Sequence, residues 1–259
     1  MVEAAAFDSL IVELDGAVGS LTLNRPDRLN PLSTATLREL VAAARWFDRQ
    51  DGVKAVVVRG AGRGFSAGAD LATFAGPPQV SPRDAADLGR EMADAIESMR
   101  AITIAVIHGW CVGGGLVLAA ACDLRLAAED ARFSIPEIDL GIPLAWGGIP
   151  RLVREIGPAR TKELVLTGRR FDAREANAAG FLNRIVAAEA LEAEAQALAR
   201  GLAAKASHPL FATKRHVNAV TAQMVGTARS WSDADALLTA LSDPECAEAR
   251  KRYLAARRS

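Results

Sequence analysis

Two glycine-rich turns carry the strongest chemical signal in this sequence, FSAGADL at Phe65 to Leu71 and HGWCVGGG at His108 to Gly115. Each follows an apolar, β-branched run. Glycine has no Cβ and tolerates positive φ, so backbone N–H groups in such turns can approach a ligand closely. Two turns at strand ends can aim N–H donors from separate loops at one oxygen, which is the geometry of an oxyanion hole. The first turn also spells Gly64-Phe65-Ser66-Ala67-Gly68, a match to the GxSxG nucleophile elbow, with His208 and His216 downstream. A serine hydrolase using Ser66 is therefore an alternative, but the elbow requires a strand running directly into the serine. Here six residues, several of them glycine, separate Arg59 from Ser66. Gly60 to Phe65 lacks the third glycine spacing of GxGxxG, no GxxxxGK[ST] occurs, and three histidines without HExxH predict no metal site.

The elements that must hold these turns alternate between strand and helix. Leu10 to Leu14 and Ser20 to Leu23 flank an Asp15-Gly16 turn and predict a hairpin. A helix opened by Ser33 or Thr34 follows, with Leu37, Leu40, Val41, Ala44 and Phe47 on one face. Ala55 to Arg59 predicts a strand into the first turn, Asp84 to Arg100 a helix, and Thr103 to Ile107 a strand into the second turn. The segment Gly76 to Pro82 has the composition of an exposed loop that could act as a lid. Further on, Leu124 to Ala127 and Ala131 to Ile135 predict strands, and Gly147 to Ile156 a helix. Asp172 with Glu175 forms a capping-box signature. The core is expected to end near Val186, and the rest is Ala-rich and helical with a break at Ser207-His208-Pro209. The expected organisation is residues 1–188 as the core with the active site and 189–259 as a helical appendage.

Composition narrows the function classes. Lys+Arg and Asp+Glu balance at 31 each, leaving no net basic field for a nucleic-acid partner. Cys111, Cys122 and Cys246 are odd in number and scattered, which predicts neither a disulfide framework nor a zinc site. With acidic rather than basic residues near the N-terminus, a cytoplasmic protein is expected. Ala101 to Cys122 contains no charged residue and has Gly109 and Gly113 at GxxxG spacing, so it also reads as a membrane span. The β-branched run Ile102 to Ile107, three consecutive glycines and Asp123 favour a buried strand, turn and short helix, and no membrane partner is expected.

In order, NRPDRLNPLS, FSAGADL, HGWCVGGGLVLAAACDLRLA and ARFSIPEIDLGIPLAWGGIPRL closely resemble the crotonase superfamily, the enoyl-CoA hydratase and isomerase family. The resemblance runs from about Leu10 to Val186 and more weakly through the tail. It implies an α/β fold, a spiral of ββα units with a C-terminal helical trimerisation region, assembled as a homotrimer or dimer of trimers. By the same resemblance Ala69 and Gly114 supply the oxyanion-hole N–H groups for the carbonyl of an acyl-CoA thioester. No cofactor is implied, because coenzyme A is part of the substrate. Asn24 to Asn30 would border its pantetheine and phosphates, with Arg25 and Arg28 as candidate cations, although relatives often carry lysine where this chain has Asp27. The backbone around Ser66 and Ala67 would border the adenine. Asp70 and Gly113 belong to the same turns, and Asp70 also reads as a turn carboxylate.

The acid and base depart from the full pattern. Hydratases of the family use two glutamates around one water. The one in the PEI motif is present as Glu137, while the second position is occupied by Val117 and a third carboxylate position by Ala145. Asp139 shares a face with Glu137 if the segment is extended, and is either a substitute or a solvated carboxylate. A lost general acid or base typically costs about 10² to 10⁴ in rate, whereas moving a double bond needs one base. The expected activity is hydration or double-bond isomerisation of enoyl-CoA in fatty-acid metabolism, with single-glutamate isomerisation favoured. An acyl-CoA-binding protein without turnover is the other alternative. Trp146 lines the acyl pocket or belongs to the core.

Overall fold

The computed structural model describes residues 6–71, 81–230 and 232–256. The expected hairpin forms from β1 (Leu10–Asp15) and β2 (Val18–Leu23), antiparallel about Gly16 in the left-handed region. α1 (Thr34–Asp48) starts where the Ser33 hydroxyl accepts the Thr36 N–H, and it buries the predicted apolar face. β3 (Ala55–Gly60), α2 (Pro82–Ser98), β4 (Ile102–Ile107), β5 (Trp110–Val112) and α3 (Gly114–Ala121) follow. The uncharged stretch from Ala101 is thus divided between two strands and a short helix, and among the described residues no helix is long and apolar enough to cross a membrane. Then come β6 (Leu124–Ala128), β7 (Arg132–Ser134), α4 (Gly148–Thr167), β8 (Phe171–Asp172), α5 (Ala173–Ala178) and β9 (Arg184–Val186). α4 runs past the predicted end at Ile156, with a kink at Gly157-Pro158 where Gly157 has φ 74°. Half of the predicted capping box forms: the Asp172 side chain accepts the Glu175 N–H at 2.9 Å, while the Glu175 carboxylate turns to Arg169 instead of reaching back.

The main sheet has the order β1-β2-β3-β4-β6-β9, and every pair after the hairpin is parallel. β5, β7 and β8 form a second, small sheet. Parallel strands are buried on both faces and read as continuous apolar runs. Alternation inside the run decides the side: Val56 and Val58 face the core under α1, α2 and α3, while Val57, Ile104 and Leu126 pack against Leu191, Ala195 and Ala199 of α6 (Leu191–Ala203).

The tail continues with α7 (Ser207–Met224), α8 (Asp233–Ser242) and α9 (Pro244–Ala256). The break read at Ser207-His208-Pro209 falls slightly earlier, between the end of α6 at Ala203 and the start of α7 at Ser207; Ser207-His208-Pro209 form the first turn of α7, which accommodates Pro209 because an N–H there has no helical partner anyway. α7 is pinned to the core by the buried Lys214, whose Nζ donates to the Ala101 carbonyl at 2.9 Å and to Asp123 at 2.7 Å. The expected lid falls at 76–80 outside the described residues, while Ser81 caps α2.

Candidate active site

The first turn is held at both edges. The Leu32 N–H donates to the Gly68 carbonyl at 2.8 Å and the Asp70 N–H donates to the Leu32 carbonyl at 3.0 Å, so both flanks of Ala69 are tied to Leu32. In that parallel bridge the Ala69 N–H points the opposite way, and it has no acceptor among the described residues. Ser66 is fully buried. Its Oγ donates to the Asn30 carbonyl at 2.8 Å and accepts the Gly68 N–H at 3.1 Å, while its N–H and C=O bond to Trp110 and Val112 at 3.0 Å each. The buried and fully engaged hydroxyl speaks against the nucleophile-elbow alternative; Ser66 is scaffold for the turn. Ala67, half-buried, uses its N–H on the Leu29 carbonyl.

Sequence reasoning missed Asn30, which organises this corner. At φ 53°, a conformation that Asn adopts more readily than most side-chain-bearing residues, its buried amide donates to the carbonyls of Ala61 and Gly64 and accepts the Arg25 N–H at 2.9 Å. The signal was one asparagine in NRPDRLNP, indistinguishable there from a loop residue.

In the second turn, Gly113 adopts φ 49°, ψ −114°, and its N–H donates to the Ser134 carbonyl at 3.0 Å. Gly114 is then the first residue of α3, so its N–H is one of the helix's unpaired donors and lies at the positive end of the helix dipole. The two turns touch: a Cβ placed on Gly68 would lie 2.6 Å from the Val112 carbonyl oxygen and 3.2 Å from the Gly114 nitrogen.

Glu137 arrives from β7. The pairing of Val112 with Ser134 brings the following loop alongside the second turn, and the Ile142 N–H closes that loop on the Glu137 carbonyl at 3.0 Å. The side chain packs against Gly113, and its Oε2 is buried without a hydrogen-bond partner. Ala69, Gly114 and Glu137 line one cavity of about 30 Å³, together with Val117, Ala145, Trp146 and apolar neighbours. Burial pushes the Glu137 carboxyl up to about 7, only partly offset by its own backbone N–H. Among the described lining residues it is the sole ionisable group. Val117 is buried against Gly148. Asp139 is exposed and faces Gly168, so it does not replace the missing carboxylate.

Trp146 is pocket wall. The loop carrying it is clamped from below, the fully buried Arg151 donating to the Trp146 and Gly147 carbonyls while paired with Asp94 at 2.8 Å and Glu97 at 2.5 Å. Asp233 of α8 accepts the Gly147 N–H at 2.9 Å, and Leu237 of the same helix lines the cavity. The tail therefore contributes to a site that the sequence placed wholly within 1–188. Nothing in the spacing of Asp233, Leu237 or Arg151 linked them to the loop.

Beside the cavity, the buried Asp70 holds Arg25 at 3.3 Å and Arg28 at 3.5 Å. The Arg28 side chain remains 53% exposed, leaving much of its guanidinium free to meet an anion.

Fold and site together define an α/β enzyme-type architecture in which two glycine turns at strand ends face one buried carboxylate. The sequence profile of the family described as Enoyl-CoA hydratase/isomerase matches residues 13–259. The chain belongs to this family, the crotonase superfamily. It is 40% identical to a Rhizobium meliloti (strain 1021) protein named "Probable enoyl-CoA hydratase" over 82% of each chain, and 33% identical to a crotonyl-CoA hydratase of Syntrophomonas wolfei over 82% of each. Among solved structures, an enoyl-CoA hydratase/isomerase from Xanthobacter autotrophicus Py2 superposes with a TM-score of 0.85 at 32% identity, covering 97% of this chain and 99% of that one.

Proposed function

We propose that this enzyme shifts the double bond of a 3-enoyl-CoA, with Glu137 as its one acid–base group. The N–H groups of Ala69 and Gly114 hold the thioester oxygen. Glu137 removes a proton from C2, the electron pair delocalises onto that oxygen as an enolate, and the same carboxyl returns the proton at C4 while the double bond moves to C2–C3. The step is redox-neutral and calls on no cofactor beyond the CoA that the substrate carries. A carboxyl near pH 7 suits both taking and giving a proton. Oxyanion donors are worth about 2.7 to 4 kcal/mol each in comparable sites, so the amides are the largest expected term. Arg25 and Arg28 are assigned to the CoA phosphates, and the backbone of Ala67 to its adenine end.

The observation that carries this reading is the lone carboxylate, with Val117 and Ala145 where further acids would stand. The names of the relatives favour a second reading, hydration of 2-enoyl-CoA, in which Glu137 alone would activate and protonate. Purified protein assayed with 2-enoyl-CoA and 3-enoyl-CoA separates them: faster loss of 3-enoyl-CoA supports isomerisation, dominant 3-hydroxyacyl-CoA formation supports hydration, and tight binding without turnover supports a silent acyl-CoA binder. A cytoplasmic homotrimer or dimer of trimers is proposed with it, the exposed Val217, Val220 and Met224 of α7 offering an apolar face for self-association.

A further inference from the structure

The indole of Trp146 lies between two helices and touches both through glycines. A Cβ on Gly89, in the middle of α2, would fall 2.0 Å from Trp146 Cδ2, and one on Gly114 would fall 2.2 Å from Cζ3. Glycine weakens a helix interior, so its place under the ring has a physical reason: nothing larger lets the ring in. The ring is also held there. Trp146 sits at φ 63°, a costly conformation for a bulky residue, and Arg151 and Asp233 fix the loop on either side. The cavity left in front of Glu137 is about 30 Å³, room for about two waters. Its other walls are apolar, with Val117, Ile142, Leu144 and Leu237 suited to hydrocarbon.

We propose that Trp146 determines acyl-chain length, its indole filling the space between α2 and α3 that a longer chain would need, so that the site accepts short-chain acyl-CoA. This rests on the acyl-CoA reading above. Removing the ring should join its volume to the cavity while leaving the Glu137 side chain itself unaltered.

The test compares wild type, W146F and W146A for kcat/KM on 3-enoyl-CoA of four, six and ten carbons, and for Kd of saturated butanoyl-CoA and decanoyl-CoA. One extra methylene in an apolar pocket discriminates by about 10- to 200-fold, so wild type should favour four carbons over ten by at least tenfold. W146A should raise the ten-to-four ratio at least tenfold, with W146F between. A packing role alone would depress every length together, and an unchanged ratio overturns the proposal. If W146A does not fold, the ratio in W146F decides. Should wild type turn over no 3-enoyl-CoA, the isomerase reading falls while the Kd ratio still decides the role of Trp146; if neither acyl-CoA binds, both fall.

Discussion

The carboxylate of Glu137 rests on the backbone of Gly113, so closely that a Cβ at position 113 would stand 2.3 Å from Oε1. One residue thus shapes both halves of the site. Gly113 turns the chain so that the Gly114 N–H becomes the start of α3, and it leaves the room that Glu137 occupies. Gly113→Ala should lower kcat by about 10² or more by displacing the carboxylate, in line with the usual cost of a lost general base. Circular dichroism should show a folded chain. Activity within threefold of wild type would show that the contact is dispensable.

The elevated Glu137 value gives activity and stability opposite pH dependences. The base must be ionised to act, so kcat/KM for isomerisation should rise with pH through about 7. For stability the sign runs the other way. With the folded value near 7 and the ordinary value at 4.5, the folded chain keeps a proton that the unfolded chain releases between them. The contribution is intact below pH 4.5 and is lost as pH rises through 7, about 3 kcal/mol in all. Glu137→Gln should abolish turnover and remove this loss, so that its melting temperature exceeds that of wild type at pH 8 but not at pH 4.5. Parallel melting profiles for the two proteins would contradict it.

Val117 is the position at which chemistry can be rewritten. Val117→Glu should raise the ratio of 2-enoyl-CoA hydration to isomerisation at least tenfold by supplying a second carboxylate. Overpacking against Gly148 should destabilise by about 1 to 3 kcal/mol. Product analysis reads the ratio, and an unaltered ratio in a folded variant would remove position 117 from control of the reaction.

The fold was legible because its signals are local. The hairpin, α1 and the Asp172 cap of α5 each follow from a few neighbouring residues, and the two turns announce themselves through glycine. Glu137 emerged through its motif, since a glutamate after proline carries no weight alone. What stayed hidden is what depends on tertiary closure. Asn30 bonds to residues more than thirty positions away, Arg151 reaches back to Asp94 and Glu97, and Leu237 enters the cavity from a helix nearly a hundred residues beyond Glu137. The GxSxG spacing around Ser66 already fails for want of a strand running into it, and its hydroxyl is spent on the Asn30 carbonyl.

Asp70 holds the guanidinium groups of Arg25 and Arg28 at 3.3 and 3.5 Å. Arg28→Ala should raise KM for acyl-CoA several-fold with kcat nearly unchanged, as expected when binding common to ground and transition states is removed. The effect should shrink at high salt, because an exposed charge is screened. Steady-state kinetics at two ionic strengths check this, and a fall in kcat with KM constant would place Arg28 in the chemistry instead.

A carboxyl that alone removes and returns the proton leaves an isotopic trace. With 3-enoyl-CoA carrying deuterium at C2, incubation in ordinary water and mass spectrometry of the 2-enoyl product should find part of that label at C4, and Glu137→Gln should give no product. Undiminished turnover in Glu137→Gln, or 3-hydroxyacyl-CoA as the dominant wild-type product from 2-enoyl-CoA with 3-enoyl-CoA left unchanged, would contradict single-carboxylate isomerisation.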